Sequence, residues 1–312
     1  MTGRIFTADH HVYDLPVLLE WTLVHTGSVP CDTFTVTFPY EKEMAEVLTM
    51  AAGFGAMEDG KFVLRGIVDE YTVDMDVGGL TATVSGRGYA ARLLDNESRP
   101  VTYQNVTLEE LIRCHAEPYG IQCAEAADLR VESGYSVAAG TSQWKVLQDF
   151  CRTYGGFEPR FAATGELLAV PEEAGETCLQ LGEEDGILSC TLREDHYGVL
   201  TEVMVIDKKS GMSYTVRNED MIRKGGQCRR VVYTPGVRTW AAMRYTGEYQ
   251  IQQSKAEEKE ISVTLAGNFL AFPGDRVQLE LEHMGLSGIF RVAEAENRCS
   301  AKGATITLTL KE

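Results

Sequence analysis

The sequence lacks the features that direct a chain into or across a membrane. It has no positively charged start followed by an apolar run, and Glu20 interrupts the most apolar early stretch, Leu15 to Val24. A membrane-spanning helix needs roughly 20 apolar residues in succession, and no stretch of this sequence provides them. The sequence therefore predicts no signal peptide, no transmembrane helix and no membrane binding by this chain.

The sequence is also short of basic residues. Its 312 residues include 29 Lys and Arg against 46 Asp and Glu, which gives a formal net charge of −17 at pH 7. Proteins that read nucleic-acid sequence and polybasic membrane-surface proteins both need an excess of Lys and Arg, so the charge balance excludes both classes. The length and a hydrophobic fraction of 44% predict about two globular domains.

No pair of cysteines has the C-x-x-C spacing of a metal or redox site. The adjacent histidines His10 and His11 would point to opposite sides of an extended segment, so they are not expected to share one ion. We expect no metal and no cofactor. The cysteines are scattered through apolar patterns and are predicted to be free buried thiols: Cys31, Cys114, Cys123, Cys151, Cys178, Cys190, Cys228 and Cys299.

Motifs for nucleotide binding and catalysis are missing as well. Gly86-Arg87-Gly88 lacks the third glycine of a dinucleotide-binding loop, lies outside a βαβ unit and is not followed by G-K-[ST]. Cys114 and His115 are neighbours on a predicted helix and diverge by about 100°, so they are not expected to form a nucleophile–base pair. The sequence predicts no catalytic residue. Its many acidic residues mean that a pair of catalytic carboxylates stays an open alternative.

Short strands dominate what is present. In Thr33 to Phe38 apolar residues alternate strictly with threonine, which is typical of a half-buried strand. Two similar runs around the Gly78-Gly79 turn predict a hairpin. Val203 to Ile206 is apolar on both sides, which predicts a strand covered on both faces, with Ser213 to Val216 as its hairpin partner.

The pattern changes to mixed helix and strand between about residues 100 and 175. Thr107 and Glu110 have the spacing of a capping box at the start of a helix. A second helix is predicted from about Gln143 to Tyr154, with Trp144 on an apolar stripe that we assign to the core. Pro171 to Asp185 is acidic and predicts a solvated connection.

One segment reverses the charge balance. Ile222 to Arg244 contains six basic residues and no Asp or Glu, so the rest of the chain carries −23. A solvated surface, a docking surface for an acidic partner and a nucleic-acid contact all remain open for it. The candidate docking residues are Arg223, Lys224, Arg229, Arg230, Arg238 and Arg244.

Four stretches, taken in order, resemble one family. They are the strand and short helix of Ser85 to Asp95, the capped helix of Thr107 to Ile121, the helix and hairpin of Trp144 to Ala169, and the tail from Phe272 to Leu308. Together they look like the baseplate hub proteins of contractile phage tails, which include the late-control and tail-hub proteins of temperate phages and prophages. The hub part of type VI secretion spike proteins is similar in fold.

The resemblance implies a fold that is mainly β with an α+β insert. It consists of two β-barrel tube-type domains, a small α/β domain and a smaller inserted segment. Together with the sequence pattern it predicts five segments, which are the first β-barrel domain at 1–99, the small α/β insert domain at 100–175, the return strands and start of the second β-barrel at 176–217, the small basic insert at 218–258, and the completion of the second β-barrel at 259–312.

The resemblance also implies a function. It indicates a non-enzymatic baseplate hub, a homotrimer whose pseudo-six-fold ring joins the tail tube protein to the central spike protein and contacts baseplate wedge proteins. DNA would pass through the lumen only as cargo, and an acidic lumen would repel its phosphates. The expected location is the bacterial cytoplasm during assembly, and then the virion tail baseplate or a tail-like particle.

Two other functions stay open. A tail-associated enzyme that cleaves peptidoglycan or another glycan would need two carboxylates about 5–10 Å apart in a cleft. A glycan- or peptide-binding module of the injection device would need a groove lined by exposed aromatic residues between residues 100 and 175.

Overall fold

The computed structural model describes residues 1–26, 31–131, 134–172, 177–234, 240–256 and 258–311. Strands hold 50% of the chain and helices 19%, so the protein is mainly β with a few helices, as the sequence predicts. The described helices are α1 (Met44–Thr49), α2 (Ala91–Leu94), α3 (Leu108–His115), α4 (Gln143–Phe150), α5 (Glu219–Arg223) and α6 (Trp240–Lys255).

The strands are short and follow one another closely. In the first half of the chain they are β1 (Thr2–Thr7), β2 (Val12–Asp14), β3 (Glu20–Thr26), β4 (Thr33–Pro39), β5 (Ala51–Glu58), β6 (Lys61–Asp76), β7 (Gly79–Gly88), β8 (Val101–Tyr103), β9 (Val106–Thr107), β10 (Cys123–Ala126), β11 (Arg130–Val131) and β12 (Tyr135–Val137). In the second half they are β13 (Arg160–Phe161), β14 (Leu167–Ala169), β15 (Thr177–Gly182), β16 (Ile187–Glu194), β17 (Glu202–Asp207), β18 (Ser213–Arg217), β19 (Arg229–Thr234), β20 (Lys259–Ala266), β21 (Arg276–Leu281), β22 (Leu286–Ser300) and β23 (Gly303–Lys311).

The chain divides into two compact units. The first unit comprises Met1–Leu188 and Thr264–Leu308, and the second comprises Ser189–Val263 and Thr309–Glu312. No sheet in the described part of the chain closes on itself, and the number of barrels stays a prediction. The five segments expected from the sequence are a finer division, which also stays a prediction.

One large sheet forms the frame of the first unit. From β23 its strands run in the order β23-β22-β3-β4-β7-β6-β5-β1-β2, and β21 also pairs with β22. The alternation seen in the sequence places Val36 and Phe38 of β4 in the core, where both are fully buried. Phe34 stacks on Phe54 with ring centroids 4.4 Å apart, so the core is continuous from β4 to β5.

The sequence predicts that the acidic stretch from Pro171 to Asp185 is a solvated connection. In the structure, part of this stretch is a strand. This strand is β15, which pairs in parallel with β21 so that Leu181 lies opposite Leu279. Leu181 is buried on this strand. The prediction was wrong because the many acids hide a short strand whose hydrogen-bonding partner lies about 100 residues further along the chain.

A small module with its own core follows β7 in the first unit. Its helix α3 has the predicted capping box: the Thr107 hydroxyl accepts a hydrogen bond from the backbone N–H of Glu110, and the Glu110 carboxylate accepts one from the backbone N–H of Thr107. Trp144 of α4 is 4% exposed within this core, as predicted. The α-helix ends at Phe150, before the predicted end at Tyr154. A π-helical turn from Cys151 to Gly155 follows it directly.

Gly86-Arg87-Gly88 is part of strand β7 rather than a phosphate loop. A Cβ atom on Gly86 would lie 2.0 Å from the carbonyl oxygen of Ile67 and 2.7 Å from the ring of Phe34. The glycine therefore allows two strands and an aromatic ring to pack closely. Arg87 forms ion pairs with Asp69 at 2.7 Å and with Asp95 at 2.9 Å.

The second unit is built around a three-stranded sheet with the order β18-β17-β19. Strands β17 and β18 form the hairpin predicted from the sequence, and β19 runs parallel to β17. Helix α6 packs on one face of this sheet, where Val203 and Val205 are buried with Met243. A Cβ atom on Gly247 would lie 2.5 Å from Val216, so this glycine allows the helix to approach the sheet.

Candidate partner-docking surface

The charge asymmetry of the sequence follows the division into units. The second unit holds 13 Lys and Arg against 11 Asp and Glu, a net charge of +2. The first unit holds 16 against 35, a net charge of −19. The basic segment therefore lies in a weakly positive unit, and the other unit carries the negative charge of the chain.

Arg223 and Lys224 lie at the C-terminal end of α5. Arg223 forms an ion pair with Asp220, one helical turn earlier. The ammonium group of Lys224 is 3.2 Å from the carboxylate of Glu258. The two basic residues help to line a charged cavity of about 540 Å³ in the second unit, together with Glu194, Lys255 and Lys259.

Arg229 and Arg230 are consecutive on β19, so they point to opposite faces of the sheet. Nε of Arg229 is 2.6 Å from the carboxylate of Glu202, which also pairs with Arg217 at 3.3 Å. Arg230 points to the helix side and donates a hydrogen bond to the side chain of Gln250 at 3.0 Å.

Arg244 lies on α6, where its guanidinium is 3.4 Å from Glu248 and 5.1 Å from the ring centroid of Tyr245. Arg238 lies outside the described residues. The five described residues thus occupy three places, and acids from outside the basic segment neutralise most of them. The five described residues therefore do not form a single basic patch. Docking through the six candidate residues stays a proposal.

One face of the β17–β19 sheet is open among the described residues. We call it the open face: Met204 and Ile206 are half-buried, while Val231 and Tyr233 are 46% and 57% exposed. Lys208 lies over the ring of Tyr233 at 5.4 Å. The prediction that this strand is covered on both faces is therefore wrong, because α6 covers only the side of Val203. Sequence alone could not show this, because a buried and an open apolar face have the same pattern.

Strand β19 also has an unpaired edge. It pairs with β17 on one side, and no described strand pairs with its other side. Its first two residues are Arg229 and Arg230, and its exposed apolar residues are Val231 and Tyr233. This edge offers backbone hydrogen-bonding groups together with positive charge.

A second exposed surface belongs to the first unit, where β6 and β7 continue beyond the core. We call residues 69–80 the hairpin arm, and every one of them is exposed. Strand β5 pairs with β6 only as far as Ile67, so the outer edge of the arm has no described strand beside it. Its exposed apolar residues are Tyr71, Val73, Met75, Val77 and Leu80. Its acidic residues are Asp69, Glu70, Asp74 and Asp76, and it has no Lys or Arg.

A small cavity of about 190 Å³ in the first unit is lined by two carboxyl groups, those of Asp32 and Glu172. Burial raises the pKa of Asp32 above its ordinary value. Asp32 accepts a hydrogen bond from the backbone N–H of Thr26 at 2.9 Å. Glu172 accepts two from Arg291, at 2.6 and 2.8 Å. Both carboxyl groups therefore have partners that serve the packing of the fold.

The seven cysteines whose side chains are described are free but differ in burial. Cys151 is buried as predicted, whereas Cys114 is exposed, so the prediction of burial is wrong for that residue. Five others are only half-buried, which meets the prediction in part: Cys31, Cys123, Cys190, Cys228 and Cys299. The side chain of Cys178 lies outside the described residues. Within the described ranges no group of three or more His, Cys, Asp and Glu is arranged to hold a metal ion. No helix in the described part of the chain is long and apolar enough to span a membrane.

The two units and their sheets define a fold found in phage tail proteins, which confirms the resemblance seen in the sequence at the level of the fold. A tail protein of prophage MuSo2 from Shewanella oneidensis superimposes with a TM-score of 0.81 and 15% identity, over 99% of this chain and 98% of that one. No protein-family model matches the chain, and no curated protein sequence matches it.

Two further solved structures share the fold. A tail protein from Neisseria meningitidis has a TM-score of 0.75 and 17% identity, over 100% of this chain and 96% of that one. The E. coli c3393 protein, a type VI secretion component itself similar to T4 bacteriophage tail proteins gp27 and gp5, has a TM-score of 0.55 and 10% identity, over 94% of this chain and 73% of that one.

Proposed function

We propose that this chain is a structural baseplate hub of a contractile phage tail or tail-like particle. The observation that carries the proposal is the likeness to the Shewanella prophage tail protein, which extends over 98% of that protein rather than over one motif. In this proposal the protein acts by assembly and has no catalytic role. It would be made in the bacterial cytoplasm and then reside in the tail baseplate.

Three copies would form a ring in which each contributes two similar β domains. Such a ring has six domains around a three-fold axis, so it can join a six-fold tail tube to a three-fold spike. Rings form when one surface of a subunit meets a different surface of the next and the rotation closes. The unpaired strand edges of the hairpin arm and of β19 support this proposal, because exposed edges are normally covered.

The proposed partners are the tail tube protein, the central spike protein and the baseplate wedge proteins. DNA would pass the lumen only as cargo. The net charge of −19 on the first unit supports this, because an acidic wall repels phosphate and lets DNA slide. An acidic lumen and an outward-facing basic segment are part of the proposal.

The experiment is to measure the mass of the purified chain and to image it by electron microscopy. We expect a particle with about three times the 34.4 kDa mass of one chain and a central pore about 20 Å wide or more, which is the width that DNA needs. A ring with another number of copies, or a trimer without a pore, would overturn the proposal. A chain that stays monomeric even when mixed with its tube and spike proteins would overturn it as well.

A second candidate is an enzyme that cleaves peptidoglycan or another glycan. It is favoured by the cavity lined by Asp32, whose raised pKa suits a general acid, and by Glu172, whose carboxylate is 2.6 Å from the guanidinium of Arg291. Turnover of purified cell walls that is lost in both Asp32→Asn and Glu172→Gln variants would establish it. If the wild-type protein does not turn over purified cell walls, this candidate is wrong and the structural function is the one supported. The glycan- or peptide-binding module is less supported, because Trp144 and Phe150 are buried.

A further inference from the structure

We propose that the hairpin arm of one copy pairs with the free edge of β19 on a second copy and extends its sheet by one hairpin. This inference rests on the proposed hub function, for which it names the two surfaces that join neighbouring copies. It assigns one role to two features that the fold of a single chain leaves unpaired within the described residues.

The backbone is the first argument. The outer edge of β6 beyond Ile67 and the outer edge of β19 have no described strand beside them. The free edge of the arm, which continues to Asp76, is long enough to pair with all six residues of β19, Arg229–Thr234. An exposed edge presents free N–H and C=O groups and tends to recruit another strand.

The side chains are the second argument. On the arm, Tyr71, Val73 and Met75 alternate along β6 and so lie on one face. On β19, Val231 and Tyr233 also lie on one face. If the two edges pair, these apolar residues form one continuous surface. All five are between 41% and 81% exposed in the single chain, so pairing would remove apolar area from water.

Charge is the third argument, and it selects the partner. The arm carries four acids and no base, and of these acids only Asp69 has an ion-pair partner in the described part of the chain, Arg87. Strand β19 begins with Arg229, which is paired with Glu202, and with Arg230, whose described partner is the uncharged side chain of Gln250. Glu70 and Asp74 belong to the side of the arm opposite Tyr71, and Arg230 belongs to the side of β19 opposite Val231. The same register therefore joins the apolar faces and places Glu70 and Asp74 on the side of Arg230. Since one chain carries both surfaces, the occupant of each is a second copy.

A contact of this kind joins two different surfaces, so each copy offers both and the contact can be repeated around a ring. Arg230 beside Glu70 and Asp74 also favours this encounter over the meeting of two acidic arms, which would repel each other. The arm is therefore assigned as a donor of a hairpin and β19 as its acceptor.

The test uses two charge-reversed full-length variants. The first is Glu70→Lys with Asp74→Lys, which changes the arm. The second is Arg229→Glu with Arg230→Glu, which changes β19. A matched control, Glu125→Lys with Asp128→Lys, reverses two exposed acids elsewhere in the first unit. Circular dichroism and thermal unfolding check that every variant is folded, and sedimentation velocity over a range of concentrations measures self-association.

We expect each charge-reversed variant alone to self-associate at least ~10-fold more weakly than the wild type and the control. Mixing the two variants should restore association, because the changed arm meets a changed β19 and each unchanged surface also finds its partner. A loss caused by misfolding would not be restored by mixing. Wild-type association that persists in both variants, or mixing that restores nothing, would overturn the inference.

The outcomes separate this inference from the hub function. If the wild type is a trimer with a pore and both charge-reversed variants still form it, the hub function is supported and the arm contact is wrong. If the wild type forms open chains or dimers and charge reversal abolishes them, the arm contact is supported and the closed ring is wrong. A wild-type protein that is monomeric at every concentration overturns the contact as a self-association device.

Discussion

The Nδ1 atom of His115 is 2.6 Å from the Oε1 atom of Gln143 in the core of the small module. The amide nitrogen of Gln143 donates to the hydroxyl of Tyr119 at 2.8 Å, so the oxygen of this amide is the acceptor for His115. His115 therefore carries its proton on Nδ1, and Nε2 accepts from the hydroxyl of Tyr103 at 2.9 Å. Both ring nitrogens of this buried histidine are satisfied in the neutral form.

This arrangement predicts the effect of shortening Gln143. In a Gln143→Ala variant the buried Nδ1–H of His115 loses its acceptor, and we expect the free energy of unfolding to fall by about 1–3 kcal/mol. Urea denaturation measures it. Gln148→Ala on the same helix is the control, since the side chain of Gln148 bonds to the exposed Glu158 and to no other described side chain. Equal effects of the two substitutions would contradict the prediction.

The same histidine predicts a dependence of stability on pH. Burial lowers the pKa of His115 below the ordinary 6.5, so the unfolded state takes up a proton first as the pH falls. The contribution of neutral His115 to stability is complete above pH 6.5. It is lost below pH 6.5, by up to about 1.4 kcal/mol per pH unit, until the pKa of the folded state is reached.

The measurement is urea denaturation at pH 7.5, 6.5 and 5.5 for the wild type and for His115→Gln. The variant should be less stable at pH 7.5, and its stability should depend less on pH over this range. The two curves should approach each other as the pH falls. Parallel curves would show that another group is responsible for the pH dependence.

Gly86 predicts a steric effect. A methyl group at this position would lie 2.0 Å from the carbonyl oxygen of Ile67, and a backbone atom cannot move aside without disturbing the pairing of β6 and β7. We expect Gly86→Ala to lower the free energy of unfolding by at least ~2 kcal/mol. Gly182→Ala is the control, because its nearest neighbour would be 3.4 Å away. Thermal unfolding compares them, and similar melting temperatures would refute the expectation.

The cysteines predict an order of chemical reactivity. Burial raises the pKa of the Cys151 thiol to about 12, so almost no thiolate exists there at neutral pH. Cys114 is exposed on α3. Under native conditions a maleimide should label Cys114 first and Cys151 only after unfolding, which peptide mass spectrometry can follow. In a Cys114→Ser variant the fast phase should be reduced, and early labelling of Cys151 would contradict the structure.

Local signals made part of this fold predictable. Thr107 and Glu110 are three residues apart, so their capping box is visible in the sequence, and the turn between β17 and β18 joins strands that are neighbours in the chain. Strand β15 could not be predicted in this way, because its partner β21 is remote in sequence and its pairing is parallel. Sequence periodicity describes a strand, but it does not identify a distant partner.

The candidate docking surface could likewise be predicted only in part from the sequence. The basic residues from Arg223 to Arg244 were visible as a charge pattern, but their acidic partners were not. Glu202 and Glu258 lie outside this segment and reach Arg229 and Lys224 only through the fold. The exposure of the hairpin arm was equally hidden, because Tyr71 and Val73 alternate in the manner of a strand that covers a core.

The pairing of β3 with β22 has a consequence for the order of folding during translation. Trp21 lies opposite Cys299, and Thr26 lies opposite Glu294, so β3 must wait for a strand that is synthesised about 270 residues later. Residues 189–263 of the second unit leave the ribosome in between as one continuous piece and can fold during that delay. The larger sheet closes this long loop only after β22 has been made, which makes its completion a slow, non-local step.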